Sequence, residues 1–288
     1  MIFLFLAILG SALIPVIFRA FADWRVNVFW AIPINYLTCV FVGAVWGGNA
    51  SALLAAPHEP WLWLAILQGV ILAVNFFLLA YTAQRAGVSV AALASRLSVA
   101  IPSLLAFLVY GDTLSVVKLA GLGAALISLY LCTASAEKSI SPRLFTGRFL
   151  PLLVFLSFGC YFVVIKYAQA HYLSEKSFHV YVMSGFFFAF LTALVICIAR
   201  GLLALREFSW LHTRGGLLLG VVNYAAVYGL VKALALEGWQ SSQLLPIYSV
   251  GVIAVSSGLA VLCFKETLSR QKTVGLAVGL VAVILLNQ

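Results

Sequence analysis

Arg96 is the cation that lies farthest inside an apolar stretch of this sequence, between Leu93 and Ser98 and six residues before Pro102. A guanidinium group presents a rigid fork of donors that fits the oxygens of a carboxylate or a phosphate. Arg96 is therefore a candidate anchor for an anionic ligand. An arginine at such a position can also bond to backbone carbonyls or reach a polar interface along its flexible stem, and the sequence leaves both interpretations open.

Further polar and aromatic side chains occur inside apolar stretches at helical spacing. Tyr224, Tyr228 and Lys232 follow one another every four residues, which puts them on one side of a helix, and Asn223 adjoins them. Aromatic side chains in such stretches also pack in cores or lie in interfacial belts. Polar groups at bilayer depth must face protein or water. We therefore predict a binding cavity lined by Asn75, Tyr81, Arg96, Asn223, Tyr224, Tyr228, Gln243 and Tyr248.

The composition identifies the solvent in which these groups must work. Of the 288 residues, 64% are hydrophobic and only 9% are charged, whereas a soluble domain carries about 25% charged residues. The mean hydropathy is +1.13. A chain of this kind cannot cover itself with polar surface, so we expect an integral membrane protein whose partner is the lipid bilayer. The net charge of +9 lies mainly between apolar runs, and no nucleic-acid partner is expected.

The apolar runs predict ten transmembrane helices and an all-α fold, since a span needs about 20 apolar residues. They lie at 2–19, 28–47, 61–83, 88–110, 117–134, 149–169, 179–199, 215–236, 240–264 and 272–287. The first run lacks the basic segment of a cleaved signal peptide and should remain as a helix. All five cysteines fall inside runs and none has CxxC spacing, so we expect no metal site and no cofactor.

An internal repeat divides the chain into two five-helix halves, 1–134 and 148–288, joined by a linker at 135–147. The frame Thr-Leu-Ser-x-x-Lys that starts at Thr113 returns at Thr267, and Asn75 pairs in the same way with Asn223. An odd number of helices per half makes the second copy enter the membrane from the opposite side, which predicts an inverted repeat.

The loop charges predict the orientation. One face of the ten-helix arrangement carries twelve Lys and Arg residues and the other carries four, with Arg96 inside a helix. The positive-inside rule puts the first face, which includes loops 20–27, 84–87, 135–148, 200–214 and 265–272, in the cytoplasm. Both termini are then outside the cytoplasm, and a bacterial inner membrane is the expected location.

The hairpins Gly111-Asp112-Thr113-Leu114-Ser115 and Lys265-Glu266-Thr267-Leu268-Ser269, each followed by a glycine-bearing helix, resemble the drug/metabolite transporter superfamily, specifically its ten-helix EamA-type branch. The sequence departs from the usual small residue followed by Glu at Lys265 and at Asp112. The resemblance implies a central cavity lined by the third and fourth helices of each half. It also implies transport of a small metabolite, from a range that includes amino acids, sugars, choline-like compounds and organic anions.

The acidic residues bear on how such transport would be driven. All eight lie in loops or at helix ends, as do the four histidines, so no proton relay is expected inside the membrane. This pattern favours a facilitator or an exchanger over a proton antiporter. We predict that Asp112 and Glu266 serve the hairpin turns, with Ser115 and Ser269 as helix caps.

Several functions remain open at this point. An amino acid or another carboxylate is the expected substrate, with a choline-like quaternary ammonium or a lipid or lipid-linked sugar as the alternatives. No enzyme activity is expected, because the sequence lacks a serine nucleophile with a membrane histidine, paired aspartates, a Walker loop and a metal motif. The exact substrate, the direction of transport and the oligomeric state do not follow from the sequence.

Overall fold

The protein is α-helical throughout the part of the chain that the structure describes. The computed structural model describes residues 2–47, 56–102, 105, 116–136, 146–200, 209–234 and 241–286. Within these ranges the helices are joined by turns and by a short 3-10 turn at Ala56–His58, and no strand occurs there. The prediction of an all-α fold is confirmed.

Ten α-helices lie within the described ranges. They are α1 Ile2–Asp23, α2 Val28–Gly47, α3 Leu62–Arg85, α4 Val88–Leu97, α5 Val116–Ala136, α6 Thr146–His171, α7 Glu175–Ala199, α8 Trp210–Leu234, α9 Ser241–Phe264 and α10 Arg270–Leu286. Seven of them, α1, α2, α3, α6, α7, α8 and α9, contain stretches long and apolar enough to cross a membrane. The apolar stretches of α4 and α5 are shorter in the described part, and α10 has 17 residues.

Two helices begin four or five residues earlier than the apolar runs predict, and local capping explains both. The α7 helix begins at Glu175 rather than at 179, because Ser174 and Ser177 form a reciprocal capping box. The α8 helix begins at Trp210 rather than at 215, and the Ser209 hydroxyl accepts a hydrogen bond from the Leu211 amide at 3.3 Å. A helix can extend beyond the hydrocarbon as a polar first turn, which hydropathy does not detect.

The described helices group into two compact units, and each unit takes segments from both halves of the sequence. The first unit contains Met1–Arg19, Leu78–Gly159 and Ala225–Gln288, and the second contains Ala20–Phe77 and Cys160–Tyr224. In the first unit α5 packs along α10 and α4 packs along α9, and in the second unit α2 packs along α7. Each pair joins helices that are five apart in chain order.

Small residues let the helices approach closely within each unit, as is usual in membranes. In the first unit the Ser128 hydroxyl of α5 donates a 2.6 Å hydrogen bond to the Gly275 carbonyl of α10. In the second unit Gly216 and Gly220 lie one turn apart on α8 and face α2. A Cβ at Gly220 would lie 2.7 Å from the Asn35 carbonyl oxygen, so the two backbones are in direct contact.

Candidate functional site

Arg96 and Tyr248 lie against each other in the first unit. The Arg96 guanidinium carbon is 4.8 Å from the centre of the Tyr248 ring, within the range of a cation–π contact. The Tyr248 hydroxyl lies 2.6 Å from the Ser11 hydroxyl, in a buried hydrogen bond that joins α9 to α1. Three helices that are distant in sequence, α1, α4 and α9, therefore contribute to one polar cluster, which we call the Arg96 cluster: Ser11, Arg96 and Tyr248.

The Tyr248 ring is held by apolar packing as well as by its hydroxyl. Tyr248 is 6% exposed and belongs to a buried cluster formed by α1, α8 and α9, whose other members are Leu4, Ala7, Ala12, Ala233, Leu244 and Val252. Gly251, three residues after Tyr248, admits Ile8 of α1, since a Cβ there would lie 2.8 Å from the Ile8 Cδ1 atom. The ring cannot move away from Arg96 without disturbing this packing.

The Arg96 guanidinium has unused hydrogen-bonding capacity. Its Nε atom is buried, and the described residues offer it no hydrogen-bond partner. A buried donor without a partner costs about 1–3 kcal/mol, so the geometry points to a ligand or a water as its acceptor. Carboxylate and phosphate oxygens are the acceptors that a guanidinium fork binds most strongly.

Two other predicted residues of the first unit have cations as neighbours. The Arg85 guanidinium lies 5.3 Å from the Tyr81 ring centre, and the Lys232 ammonium lies 5.8 Å from the Tyr228 ring centre. Tyr228 also meets Phe3 edge-on, with ring centres 6.2 Å apart. In both pairs the cation comes one turn after the tyrosine on the same helix, and both cations are exposed.

Asn223 belongs to a polar network in the second unit. Its Nδ2 atom donates to the Asn35 Oδ1 atom at 3.2 Å and lies 3.5 Å from the Cys39 sulfur. The Cys39 thiol in turn lies 3.4 Å from the Gly220 carbonyl oxygen. All three side chains are buried, and the Asn35 Nδ2 atom has no partner in the described part of the chain. This network joins α2 to α8.

The remaining predicted residues are placed as follows. Asn75 of α3 is fully buried, and Tyr224 of α8 is 6% exposed, both in the second unit. The Tyr224 ring packs at Gly43 of α2, where an added Cβ would lie 3.1 Å from Cε2. The side chain of Gln243 lies outside the described residues, as does the first hairpin with Asp112 and Ser115.

Three residues of these networks, Ser11, Asn35 and Cys39, are missing from the set that the sequence predicts. Asn35 could have been found by the rule applied to Asn75 and Asn223, because it too interrupts an apolar run between Ile34 and Tyr36. Ser11 carries no such signal, since a serine in a membrane helix usually bonds to its own backbone. Only the contact with Tyr248 identifies it.

The second hairpin behaves as the sequence predicts. The Ser269 hydroxyl accepts from the Lys272 amide at 3.3 Å, which confirms Ser269 as the cap of α10. Glu266 lies in the turn and pairs with Lys272.

Among the described residues, no group of three or more His, Cys, Asp and Glu side chains could hold a metal ion.

Comparison with known proteins gives a family, a relative and a fold. Residues 1–134, the first predicted half, match the EamA-like transporter family. A Haemophilus influenzae protein described as uncharacterized is 25% identical over 291 residues, which cover 98% of this chain and 96% of the relative. A protein of known crystal structure shares 15% sequence identity with a TM-score of 0.58, over 97% of this chain and 96% of that one, and is similar in fold alone.

Proposed function

We propose that this chain, a member of the EamA-like transporter family within the drug/metabolite transporter superfamily, is a secondary carrier of a small organic anion that binds at Arg96. The family consists of non-enzymatic membrane transporters, and seven helices of the described chain can span a bilayer. The carrier would work by alternating access without ATP, as a facilitator or an exchanger. The acids and histidines at helix ends support this mode, because none is available at mid-membrane for proton coupling.

The Arg96 cluster is the observation that carries the substrate class. Its guanidinium lies over an aromatic ring and keeps a buried Nε donor unused among the described residues. A carboxylate would satisfy that donor and neutralise the charge at the same place. An amino acid or another carboxylate is therefore the proposed substrate.

A choline-like substrate fits the same cluster less well. A quaternary ammonium is usually held on the face of an aromatic ring. The Tyr248 face in this structure already carries the Arg96 guanidinium at 4.8 Å, and a second cation beside it would be repelled. Transport of a lipid or lipid-linked sugar has no comparable observation in its favour.

We further propose a bacterial inner-membrane location with both termini outside the cytoplasm. The twelve-to-four distribution of Lys and Arg supports this orientation. Three contacts of the first unit also support it, because they join segments next to loops that are counted on the positive face. Arg19 stacks on Phe264 at 5.4 Å, the Gln84 amide donates to the Phe18 carbonyl at 2.9 Å, and the Val88 amide donates to Glu266 at 3.1 Å.

Uptake into liposomes that contain the purified protein tests the proposal. Radiolabelled glutamate and succinate are compared with radiolabelled choline and with a fluorescent lipid that reports flipping. We expect carboxylate uptake, its loss in Arg96→Ala and its partial return in Arg96→Lys, because lysine offers a point charge instead of a fork. Arg85→Ala is the matched control, since Arg85 also stacks on a tyrosine but is exposed at a helix end. Uptake of choline or lipid that survives Arg96→Ala would contradict the proposal.

A further inference from the structure

We infer that Glu266 is a positioning residue for Arg96, and that it forms with Gly87 and Lys272 a latch which fastens the α9–α10 turn to the start of α4. The inference rests on the proposed function, because it assigns to the latch the task of holding the anion-binding arginine in place. The three residues come from the α3–α4 turn, the α9–α10 turn and the first turn of α10.

Glu266 supplies the cap that the α4 helix lacks. The residue before the helix is Gly87, which has no side chain to bond to the first amides. The Glu266 Oε2 atom instead accepts from the Val88 amide at 3.1 Å, across 178 residues of sequence. A carboxylate at this place also complements the partial positive charge of the helix N-terminus.

The other oxygen of the same carboxylate pairs with Lys272. The Lys272 ammonium bonds to Glu266 Oε1, and the two side chains are only 8% and 14% exposed. A buried cation without its partner is strongly unfavourable. The ion pair therefore holds both side chains in place, Glu266 in the turn and Lys272 on α10. One carboxylate thus joins α10 to α4.

Gly87 provides the room for this arrangement. Its φ is +102°, which residues with a side chain rarely adopt. A Cβ at Gly87 would also lie 2.5 Å from Glu266 Oε1. Any other residue would strain the turn and push the carboxylate away from Val88.

The latch ties both partners of the Arg96–Tyr248 contact to one point. Arg96 lies on α4 about two turns after Val88, and Tyr248 lies on α9, the helix that leads into the Glu266 turn. The α4 helix packs along α9 and also contacts α10, where Gly279 meets the Leu93 side chain. A shift of α4 along α9 would move the guanidinium off the ring, and the bond from Val88 to Glu266 opposes such a shift.

Three variants separate the helix cap from the ion pair: Glu266→Gln, Glu266→Asp and the charge exchange, which combines Glu266→Lys with Lys272→Glu. The measurements are the KM and maximal rate of radiolabelled succinate and glutamate uptake into liposomes, and hydrogen exchange of the 88–97 amides. Glu59→Gln is the control, because Glu59 is an exposed acid.

We expect Glu266→Gln to raise KM by about three- to tenfold, the factor of one ordinary hydrogen bond, and to speed exchange across α4. Glu266→Asp keeps a carboxylate and should therefore raise KM less than Glu266→Gln. The KM of the charge-exchange variant should be at least as high as that of Glu266→Gln, since a lysine at 266 repels the α4 N-terminus.

Three results would overturn the inference. They are an unchanged KM in Glu266→Gln, a wild-type KM in the charge-exchange variant, or an unchanged rate of amide hydrogen exchange in α4 of Glu266→Gln. If Arg96→Ala itself leaves carboxylate uptake unchanged, or the wild-type protein carries neither carboxylate, the proposed function fails instead. Loss of carboxylate uptake in Arg96→Ala without a rise in KM for Glu266→Gln rejects the latch alone.

Discussion

The hydrogen bond between Ser11 and Tyr248 can be tested by a double-mutant cycle with Ser11→Ala and Tyr248→Phe. Tyr248→Phe keeps the ring under Arg96 and removes only the hydroxyl that lies 2.6 Å from Ser11. Ser11→Ala removes the other partner of the same bond. Both side chains are buried, at 6% exposure each, so water does not replace the lost partner freely.

The magnitude follows from the burial of the bond. Hydrogen bonds between membrane helices contribute on average about 0.6 kcal/mol and at most about 1.7 kcal/mol, and a buried group left unsatisfied raises the cost to about 1–3 kcal/mol. We therefore expect each single variant to lower the free energy of unfolding by about 1 kcal/mol. The double variant should cost little more than either single one, which is a coupling energy of about 0.5–1.5 kcal/mol. Tyr248→Leu should cost up to about 2 kcal/mol more than Tyr248→Phe, because the cation–π contact also disappears.

The assay is unfolding of the purified protein in mixed detergent micelles, followed by circular dichroism. Ser95→Ala is the matched control, because Ser95 is a buried serine next to Arg96 whose hydroxyl bonds to the Ala92 carbonyl of its own helix at 2.8 Å. It should show no coupling with Tyr248→Phe. Single-variant effects of Ser11→Ala and Tyr248→Phe that add to within about 0.3–0.5 kcal/mol would show that the two hydroxyls act independently and would refute the cluster.

Four further predictions concern packing, the second polar network, orientation and symmetry. Gly220→Ala should cost about 1–3 kcal/mol of stability, since its Cβ would meet the Asn35 carbonyl. Gly123→Ala is the control and should cost none, because a Cβ there has nothing within 4 Å. Equal melting temperatures of the two variants would contradict this prediction. Asn223→Leu should cost about 1–3 kcal/mol by leaving Asn35 without its 3.2 Å donor, and the same unfolding titration measures it. A cysteine at Ser139 should resist impermeant thiol reagents in intact cells, and ready labelling would reverse the proposed orientation. In a structure determined in lipid nanodiscs, residues 1–134 should superpose on 148–288 about an axis in the membrane plane, and two halves inserted alike would exclude the inverted repeat.

The membrane-spanning character of the helices could be predicted because hydropathy is a local property. An apolar run of about 20 residues crosses the bilayer whatever the rest of the chain does. The cap of α10 was predictable for the same reason, since Ser269 bonds to an amide three residues away. The starts of α7 and α8 were missed by four and five residues, because polar first turns outside the hydrocarbon depend on capping rather than on hydropathy.

The polar residues of the site could be identified singly but not as partners. Arg96 and Tyr248 stand out because charged and hydroxyl groups are costly at bilayer depth. Their contact could not be predicted, since it joins positions 152 residues apart, the difference between 248 and 96. The position of Arg96 over the Tyr248 ring depends on how α4 packs along α9.

The roles of Ser11, Asn35 and Glu266 were decided by tertiary structure alone. A serine in an apolar helix, an asparagine in another and a glutamate in a turn are each compatible with a merely local bond. Ser11 acts on Tyr248 and Asn35 on Asn223 only because close helix packing brings their side chains within 3.2 Å of each other. The repeat frame around Glu266 predicted a turn, and the fold added the bond to Val88, because the N-terminus of α4 has unsatisfied amides and Gly87 leaves room for a carboxylate.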